Sequence, residues 1–573
     1  MTDVAGNRPL DAGDAHHFRH ALQALQSGRA VEALAVAEAL VARAPRAADA
    51  WQLLGMCLAG SGRDARSDAA FEHALALQPG SPVVSRNYGV ALARRGKILR
   101  EQDRPDESEP VLHKALGLYP DHAAAWVDLG VVLRLLGRID EALAAFRSAQ
   151  DLLHRRGNAS PEVEDAITGV LADAGRPAEA LQNARRLVAR YPAHAPAHET
   201  LGNLLWEYGA DLAPDEEPLA PLRAAARAQP GNRALLLALA RMLRASGRAD
   251  EALALLQPLR RRDPGDGVLT WFYADALDAL GQGDDATSAY EAAARTGLAD
   301  VPDFLNAQAR HALRTQRLAL ATACAQRAVT LDPRNQEGWS LLGTAWRLAD
   351  DPREHWLFDY ERLVGVVEIA PPAGYADLAS FLRVLEVALD AMHGASREPV
   401  HQSVRGGTQT AGQLFGRGDR VIREAEVALC TAVDRWLATL PDDPTHPFLA
   451  RKRRSVAFVG SWSVKLASSG RHSNHVHPRG WMSSAFYVAV PDSVLAADEA
   501  SRAGWLQFGQ PLDELGLDLP PRRVLRPRPG HLALFPSFMW HGTVPFAAPC
   551  SRLTMAFDMQ PRDGATHRQT GHT

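Results

Sequence analysis

A period of about 34 residues, repeated from residue 14 to residue 347, constrains this chain more than any other feature. One unit reads Trp51, Leu54, Gly55, Phe71, Ala74 and Pro79, and another Trp126, Leu129, Gly130, Ala142, Phe146 and Ala149. Trp339, Leu342 and Gly343 open the last unit. Weaker copies fill the middle, among them Ala180, Leu187 and Pro192, and Ala252, Leu256 and Pro264. Each unit predicts two amphipathic helices. Ile139, Ala142, Leu143 and Phe146 fall at i, i+3, i+4 and i+7, which is one helix face. Asp140 and Glu141 sit in the first turn, where the helix dipole favours negative charge. The closing prolines cannot continue a helix and so stop the second one. No unit buries its apolar stripe alone, so the units must stack into a solenoid. Two units run long, by about seven residues around Lys97–Ser108 and about four around Ala210–Pro218 against the standard repeat length. Extended helices or turns are expected there.

These positions resemble the tetratricopeptide repeat, with about nine full repeats and a partial one. The resemblance implies an all-α superhelical solenoid whose concave groove holds a protein or peptide.

Bulk composition narrows the remaining classes. Lys+Arg 63 against Asp+Glu 67 gives a net charge of −4, which argues against a nucleic-acid partner held by bulk charge. Cys57, Cys324, Cys430 and Cys550 are scattered, with no CxxC pair, as in a reduced, cytoplasmic protein. Met1 to Arg19 is polar and has no apolar core of a signal peptide. No run of about 18 apolar residues predicts a membrane span. The expected division is a flexible segment 1–13, the solenoid 14–347, a helical connector 348–450 and a β domain 451–573.

Within the connector, Leu378, Leu382, Leu385 and Leu389, and then Val421, Ala425, Leu429, Val433 and Leu437, have helical spacing. They predict helices over Tyr375–His393 and Arg420–Leu440. Between them Gln402–Thr410 is polar and glycine-containing, and unsuited to a helix interior. It reads either as an exposed loop or as a segment packed near a site, with Arg405 or Gln409 reaching a ligand.

From Ser455 the pattern changes to short β-rich runs: Ser455–Phe458, Ser461–Leu466, Ser483–Val490, Trp505–Phe508, His531–Phe535, Thr543–Phe546 and Leu553–Phe557. This spacing predicts a sandwich or jelly roll. His475-Val476-His477 on a strand puts two imidazoles on one face, and Pro478 favours the strand's end. Two close imidazoles are what a transition metal draws from a short segment. Downstream, a strand ends at Pro536, His541 opens the next one, and Arg552 leads another.

A His pair, a distant His and an Arg about one strand later resemble the 2-oxoglutarate- and Fe(II)-dependent oxygenases. Within that class the chain looks like a family often fused to tetratricopeptide arrays. The carrying motifs are Arg405-Gly406-Gly407-Thr408-Gln409-Thr410, His475 to Trp481, Ser484 to Val488, Leu534 to Ser537 and Trp540 to Phe546. The resemblance implies a double-stranded β-helix (jelly-roll, cupin-like) domain with Fe(II) and 2-oxoglutarate as cofactor and cosubstrate. It implies His475 and His541 as metal ligands and Arg552 as the partner of the far carboxylate of 2-oxoglutarate, a role that the planar guanidinium fork suits. One departure stands out: the usual triad is two His and one carboxylate, and here His477 holds the carboxylate's place. Either His477 is the third ligand or an acid comes from elsewhere. Tyr487, Ser483 and Arg405 are further candidates for cosubstrate contacts, and Trp462, Trp481, Trp505 and Trp540 for walls of the pocket. The alternatives to a hydroxylase are a non-catalytic scaffold with a decayed β domain, and a three-His cupin-like metalloenzyme that does not use 2-oxoglutarate.

Overall fold

The computed structural model describes residues 6–395, 397–399 and 402–562. The first five residues of the expected flexible segment 1–13 and the chain beyond 562 lie outside the described residues. Two compact units result, Met1–Val170 and Leu171–Thr573.

Helix-turn-helix pairs fill the first unit and continue in the second as far as Gln336–Leu348, giving nine pairs and one further helix among the described residues. The repeat positions show why those residue types recur. The indole N–H of Trp51 donates to the Pro45 carbonyl at 2.9 Å, that of Trp126 to Pro120 at 2.8 Å, and that of Trp339 to Pro333 at 3.0 Å. His198 meets the Pro192 carbonyl at 3.1 Å in the same way. Each contact ties the start of a repeat to the residue that ended the one before. Small residues stand where two helices cross. A Cβ on Gly55 would lie 2.7 Å from the Phe71 ring, and one on Gly130 would lie 2.9 Å from the Phe146 ring. The turn inside a pair needs a left-handed residue, φ 75° at Gly137, and Asp103 takes the same place at φ 60°. The next residue is an arginine paired with a glutamate three positions on, in Arg104–Glu107, Arg138–Glu141, Arg176–Glu179 and Arg248–Glu251. Both long units are extended helices: Pro82–Glu101 has 20 residues and Ala195–Leu212 has 18, against 13 in Ala48–Gly60.

The C-terminal part is built on two antiparallel sheets. The strands are β1 (Gly365–Glu368), β2 (Val404–Gln409), β3 (Ser455–His472), β4 (Met482–Ala489), β5 (Leu506–Phe508), β6 (Arg523–Leu525), β7 (His531–Pro536), β8 (His541–Thr543) and β9 (Arg552–Arg562). Six of them order as β1-β7-β4-β9-β3-β2 and three as β6-β5-β8. These are open sheets of a double-stranded β-helix type and not a closed barrel. The helices Leu378–Asp390 and Arg420–Leu437 form where leucine spacing predicts them, and they pack on β4 and on β1 and β7 respectively. Asp377 caps the first, accepting from the Ser380 N–H at 2.7 Å.

Three local expectations change. The polar stretch Gln402–Thr410 is no loop, because residues 404–409 form edge strand β2. The runs Ser455–Phe458 and Ser461–Leu466 are one strand of 18 residues, kinked by a bulge between Phe458 and Gly460. Glycine there absorbs the irregularity without ending the strand. His475 and His477 do not lie on a strand: β3 ends at His472, and His475 forms a single bridge to His541.

One hydrophobic core runs from Leu305, Leu341 and Trp346 in the last repeat helices through Phe381 and Leu429 to Phe486, Leu534 and Met559 in the sheet. The helix Gln336–Leu348 also bonds directly to the β domain. Ser340 Oγ donates to the Phe538 carbonyl, at 2.5 Å, and Thr344 Oγ1 accepts the Trp540 indole N–H at 2.9 Å. Arg347 donates to the carbonyls of Gly509 and Pro520, both at 2.7 Å.

Candidate metal centre and its cavity

Two segments meet to make the site. The chain leaves β3 at His472, and its next residues run extended past the start of β8. The His475 N–H donates to the His541 carbonyl at 2.9 Å, and the His475 carbonyl accepts the His541 N–H at 3.1 Å. His477 N–H donates to the Ser537 carbonyl at 3.0 Å, in the turn after β7. These backbone bonds bring three imidazoles together. One ligand atom from each of His475, His477 and His541 lies within 4.8 Å of the others.

Each ring is oriented by an acceptor on its Nδ1. His475 Nδ1 donates to the Ser473 carbonyl at 2.8 Å, and His541 Nδ1 to the Met539 carbonyl at 2.9 Å. His477 Nδ1 donates to Asp558 Oδ1 at 2.6 Å. A carbonyl or carboxylate accepts only, so Nδ1 carries the proton and Nε2 keeps its lone pair in the neutral ring. His475 Nε2 and His477 Nε2 stand 3.0 Å apart. Two lone pairs at that distance are placed to share one metal ion. Burial, and after it the neighbouring imidazoles, push His475 and His541 well below the ordinary histidine pKa, which keeps them neutral and suited to ligate.

Asp558 escaped the sequence reading. It is a carboxylate in the site, but it lies on the Nδ1 side of His477. Ser483 Oγ donates to the same oxygen at 2.7 Å and contacts Ser537 Oγ at 2.8 Å. Ser483, a candidate cosubstrate contact, thus has its hydroxyl engaged with Asp558. The signal for Asp558 was present: residues 552, 554, 556 and 558 of β9 share one face, and Arg552 was already placed on it. His472 stands outside the three-His group. Its Nδ1 meets Ser403 Oγ at 3.0 Å, and that hydroxyl also lies 3.2 Å from His475 Nε2.

The three histidines open into a cavity of about 710 Å³ between the sheets, lined also by Tyr487, Phe535, Arg552, Arg405, Gln409 and Trp462. Arg552 is 3 % exposed. It donates to the Gly504 carbonyl at 2.7 Å and to Thr543 Oγ1 at 3.1 Å. Its Nε has no hydrogen-bond partner among the described residues, nor has the Tyr487 hydroxyl, and its guanidinium stands 5.6 Å from the Tyr487 ring. A buried cation without a counter-charge is costly and fits an anionic ligand. Of the tryptophans, Trp462 lines the cavity, 5.5 Å from the His477 ring. Trp481 instead stacks on Phe448 at 4.4 Å in the core, and Trp540 is tied to Thr344.

Comparisons match separate stretches of the chain to two kinds of family. Residues 460–558 match the family described as "Putative 2OG-Fe(II) oxygenase". Residues 18–82, 85–161, 219–268 and 243–311 match families described as "Tetratricopeptide repeat". The chain thus joins tetratricopeptide repeats to a C-terminal segment that matches a family described as putative 2OG-Fe(II) oxygenase. Among curated proteins, a stretch of 127 residues is 28% identical to Protein O-mannosyl-transferase TMTC1 of Mus musculus, spanning 22% of this chain and only 13% of that protein. Among solved structures, a tetratricopeptide repeat protein from Parabacteroides merdae is 17% identical over 45% of this chain and 98% of its own, with a TM-score of 0.32. PilF of Pseudomonas aeruginosa is 21% identical over 39% of this chain and 96% of its own, with a TM-score of 0.27. Among the described residues, no helix is long and apolar enough to cross a membrane.

Proposed function

We propose that the chain is a 2-oxoglutarate- and Fe(II)-dependent oxygenase that hydroxylates a C–H bond of a substrate brought to it by the repeats. One observation carries the reading: three imidazoles with Nδ1 engaged turn toward a common point, in a cavity that also holds the uncompensated guanidinium of Arg552.

The residues fit the two groups. His475, His477 and His541 would hold the iron through Nε2. Three neutral ligands leave the metal its full charge, and Asp558 returns one negative charge through the His477 ring. Arg552 would take the far carboxylate of 2-oxoglutarate, with the Tyr487 hydroxyl as a further donor. When bound, iron and 2-oxoglutarate supply the oxidising power, which reaches the substrate from O₂ as the cosubstrate is decarboxylated to succinate. The protein's own part is to orient and to exclude water. Phe535, its ring 4.5 Å from that of His541, and Trp462 wall the metal side. Ser483 and Ser537 fix Asp558, which fixes His477. The repeat groove supports a protein or peptide as substrate or partner, and the scattered cysteines support a reducing, cytoplasmic setting.

Anaerobic titration with Fe(II) and 2-oxoglutarate tests the reading through the weak visible charge-transfer band of the complex. The band should appear in the native chain and vanish in His541→Ala. A three-His metalloenzyme that does without 2-oxoglutarate would bind metal and give no band. A scaffold with a decayed site would bind neither.

A further inference from the structure

The Arg405-Gly406-Gly407 stretch has no part in the metal centre or in the seat of Arg552, yet its backbone is specialised. Edge strand β2 pairs with β3 so that Arg405 lies directly opposite Arg471. The register slips between Arg405 and Gly407, with Gly406 at φ 66°. A Cβ on Gly407 would fall 2.5 Å from the Lys465 carbonyl oxygen, and one on Gly470 2.6 Å from that of Gly406. Only glycine permits this approach of two strands. A bulge bends its strand and re-aims the neighbouring side chain, and bulges concentrate beside active sites. Here it follows immediately on Arg405.

Like charges directly opposite repel, although Arg405 is exposed and Arg471 half-buried, so solvent screens part of the repulsion. Neither arginine is ion-paired with a described carboxylate, and both line the cavity of the three histidines. Arg405 Nη1 is anchored on its own turn, donating to the carbonyls of Gln402 at 2.6 Å and Val404 at 2.7 Å. Two residues earlier, the Ser403 hydroxyl reaches His475. Asp513 and Glu514 line the cavity as well, and Asp513 is held by the Asn474 amide at 3.2 Å. The cavity therefore has two separate cationic stations: Arg552 on β9, buried, and the Arg405–Arg471 pair on β2 and β3.

We propose that Arg405 and Arg471 form the subsite for the primary substrate, and that this substrate carries an oxyanion, a carboxylate or a phosphate, near the C–H bond to be oxidised. The assignment rests on the oxygenase reading, in which Arg552 serves the cosubstrate and leaves the pair free for a second anion.

Calorimetric titration of the full chain, loaded anaerobically with Fe(II) and 2-oxoglutarate, tests this with two probes at fixed ionic strength: inorganic phosphate and acetyl-aspartyl amide. At least one should bind to the native protein, and which one binds names the source of the oxyanion. In Arg405→Gln/Arg471→Gln, probe affinity should fall at least ten-fold more than 2-oxoglutarate affinity, and Arg552→Gln should give the reverse pattern. The charge-conserving Arg405→Lys/Arg471→Lys should recover part of the probe binding, which guards against a folding defect. Equal losses for probe and 2-oxoglutarate would assign the pair to the cosubstrate and overturn the proposal. So would a native protein that forms the charge-transfer band and binds neither probe. Probe binding that depends on the pair, without a band, would keep the anion subsite and remove the oxygenase reading.

Discussion

The Nδ1–H of His477 points at Oδ1 of Asp558 across 2.6 Å, and both groups are buried. The acid of this site thus stands behind a histidine. Removing it in Asp558→Ala frees the ring to turn and leaves its Nδ1–H without an acceptor. Fe(II) or Co(II) affinity should fall about 10- to 100-fold, the usual effect of losing such a support. Co(II) absorption titration measures it, and an affinity within two-fold of native would remove Asp558 from this role.

Arg552 should separate cosubstrate from metal. A charge-assisted, bidentate contact is worth about 2–3 kcal/mol, so Arg552→Gln should weaken 2-oxoglutarate by about 30- to 150-fold. Metal affinity, read by the same Co(II) titration, should hardly move. If 2-oxoglutarate binding survives unchanged, the site is a metal centre of another kind.

Acid should loosen the join between connector and sheet. His393 is held between Thr408 Oγ1 at 2.9 Å and Ser463 Oγ at 3.1 Å. Burial first, then Lys465, pull its pKa from 6.5 down to about 4. Between those values the unfolded chain binds a proton that the folded chain refuses, so stability must fall as pH drops from 6.5 toward 4 and level off below. Thermal melts of native protein and His393→Gln across that window should converge as the pH falls. Parallel curves would show that another group carries the acid sensitivity.

Two glycines on repeat helices should respond in opposite directions to the same methyl. Gly130→Ala drives a Cβ to 2.9 Å from Phe146 and should cost about 1–3 kcal/mol by overpacking. Gly117 is exposed in helix Pro105–Leu118 with nothing within 4 Å, so Gly117→Ala should add about 0.5–1 kcal/mol through helix propensity. Urea unfolding of the two variants checks the sign of each.

Features carried by local period were legible in the sequence. Ile139 to Phe146 mark one helix face, and the leucines of Leu378–Asp390 mark another, because burial alternates with the helix turn. The three histidines could be grouped because their residue type is rare and their motif compact. What stayed hidden depends on pairing between distant strands. Strand β2 looked like a loop because glycine and polar residues dominate it, and its hydrogen bonds come from β3 some sixty residues on. Asp558 was hidden for the same reason: only the register that sets Ser483 beside Asp558 brings it to His477. The strand expected under His475 and His477 proved to be a single bridge, since Asn474 and Pro478 leave little chain to pair.

The helix Gln336–Leu348 repeats the tetratricopeptide pattern, yet its Ser340 and Thr344 grip Phe538 and Trp540, the residues that lead into His541. For protein engineers and for evolution alike, this moves the seam. Recombination that exchanges repeat arrays cannot cut at the last repeat without removing the partners of Phe538 and Trp540, just ahead of His541. The shared core begins at Leu305, and earlier repeat helices are tied to the connector as well, through the Trp206 indole N–H on the Glu398 carbonyl at 3.0 Å.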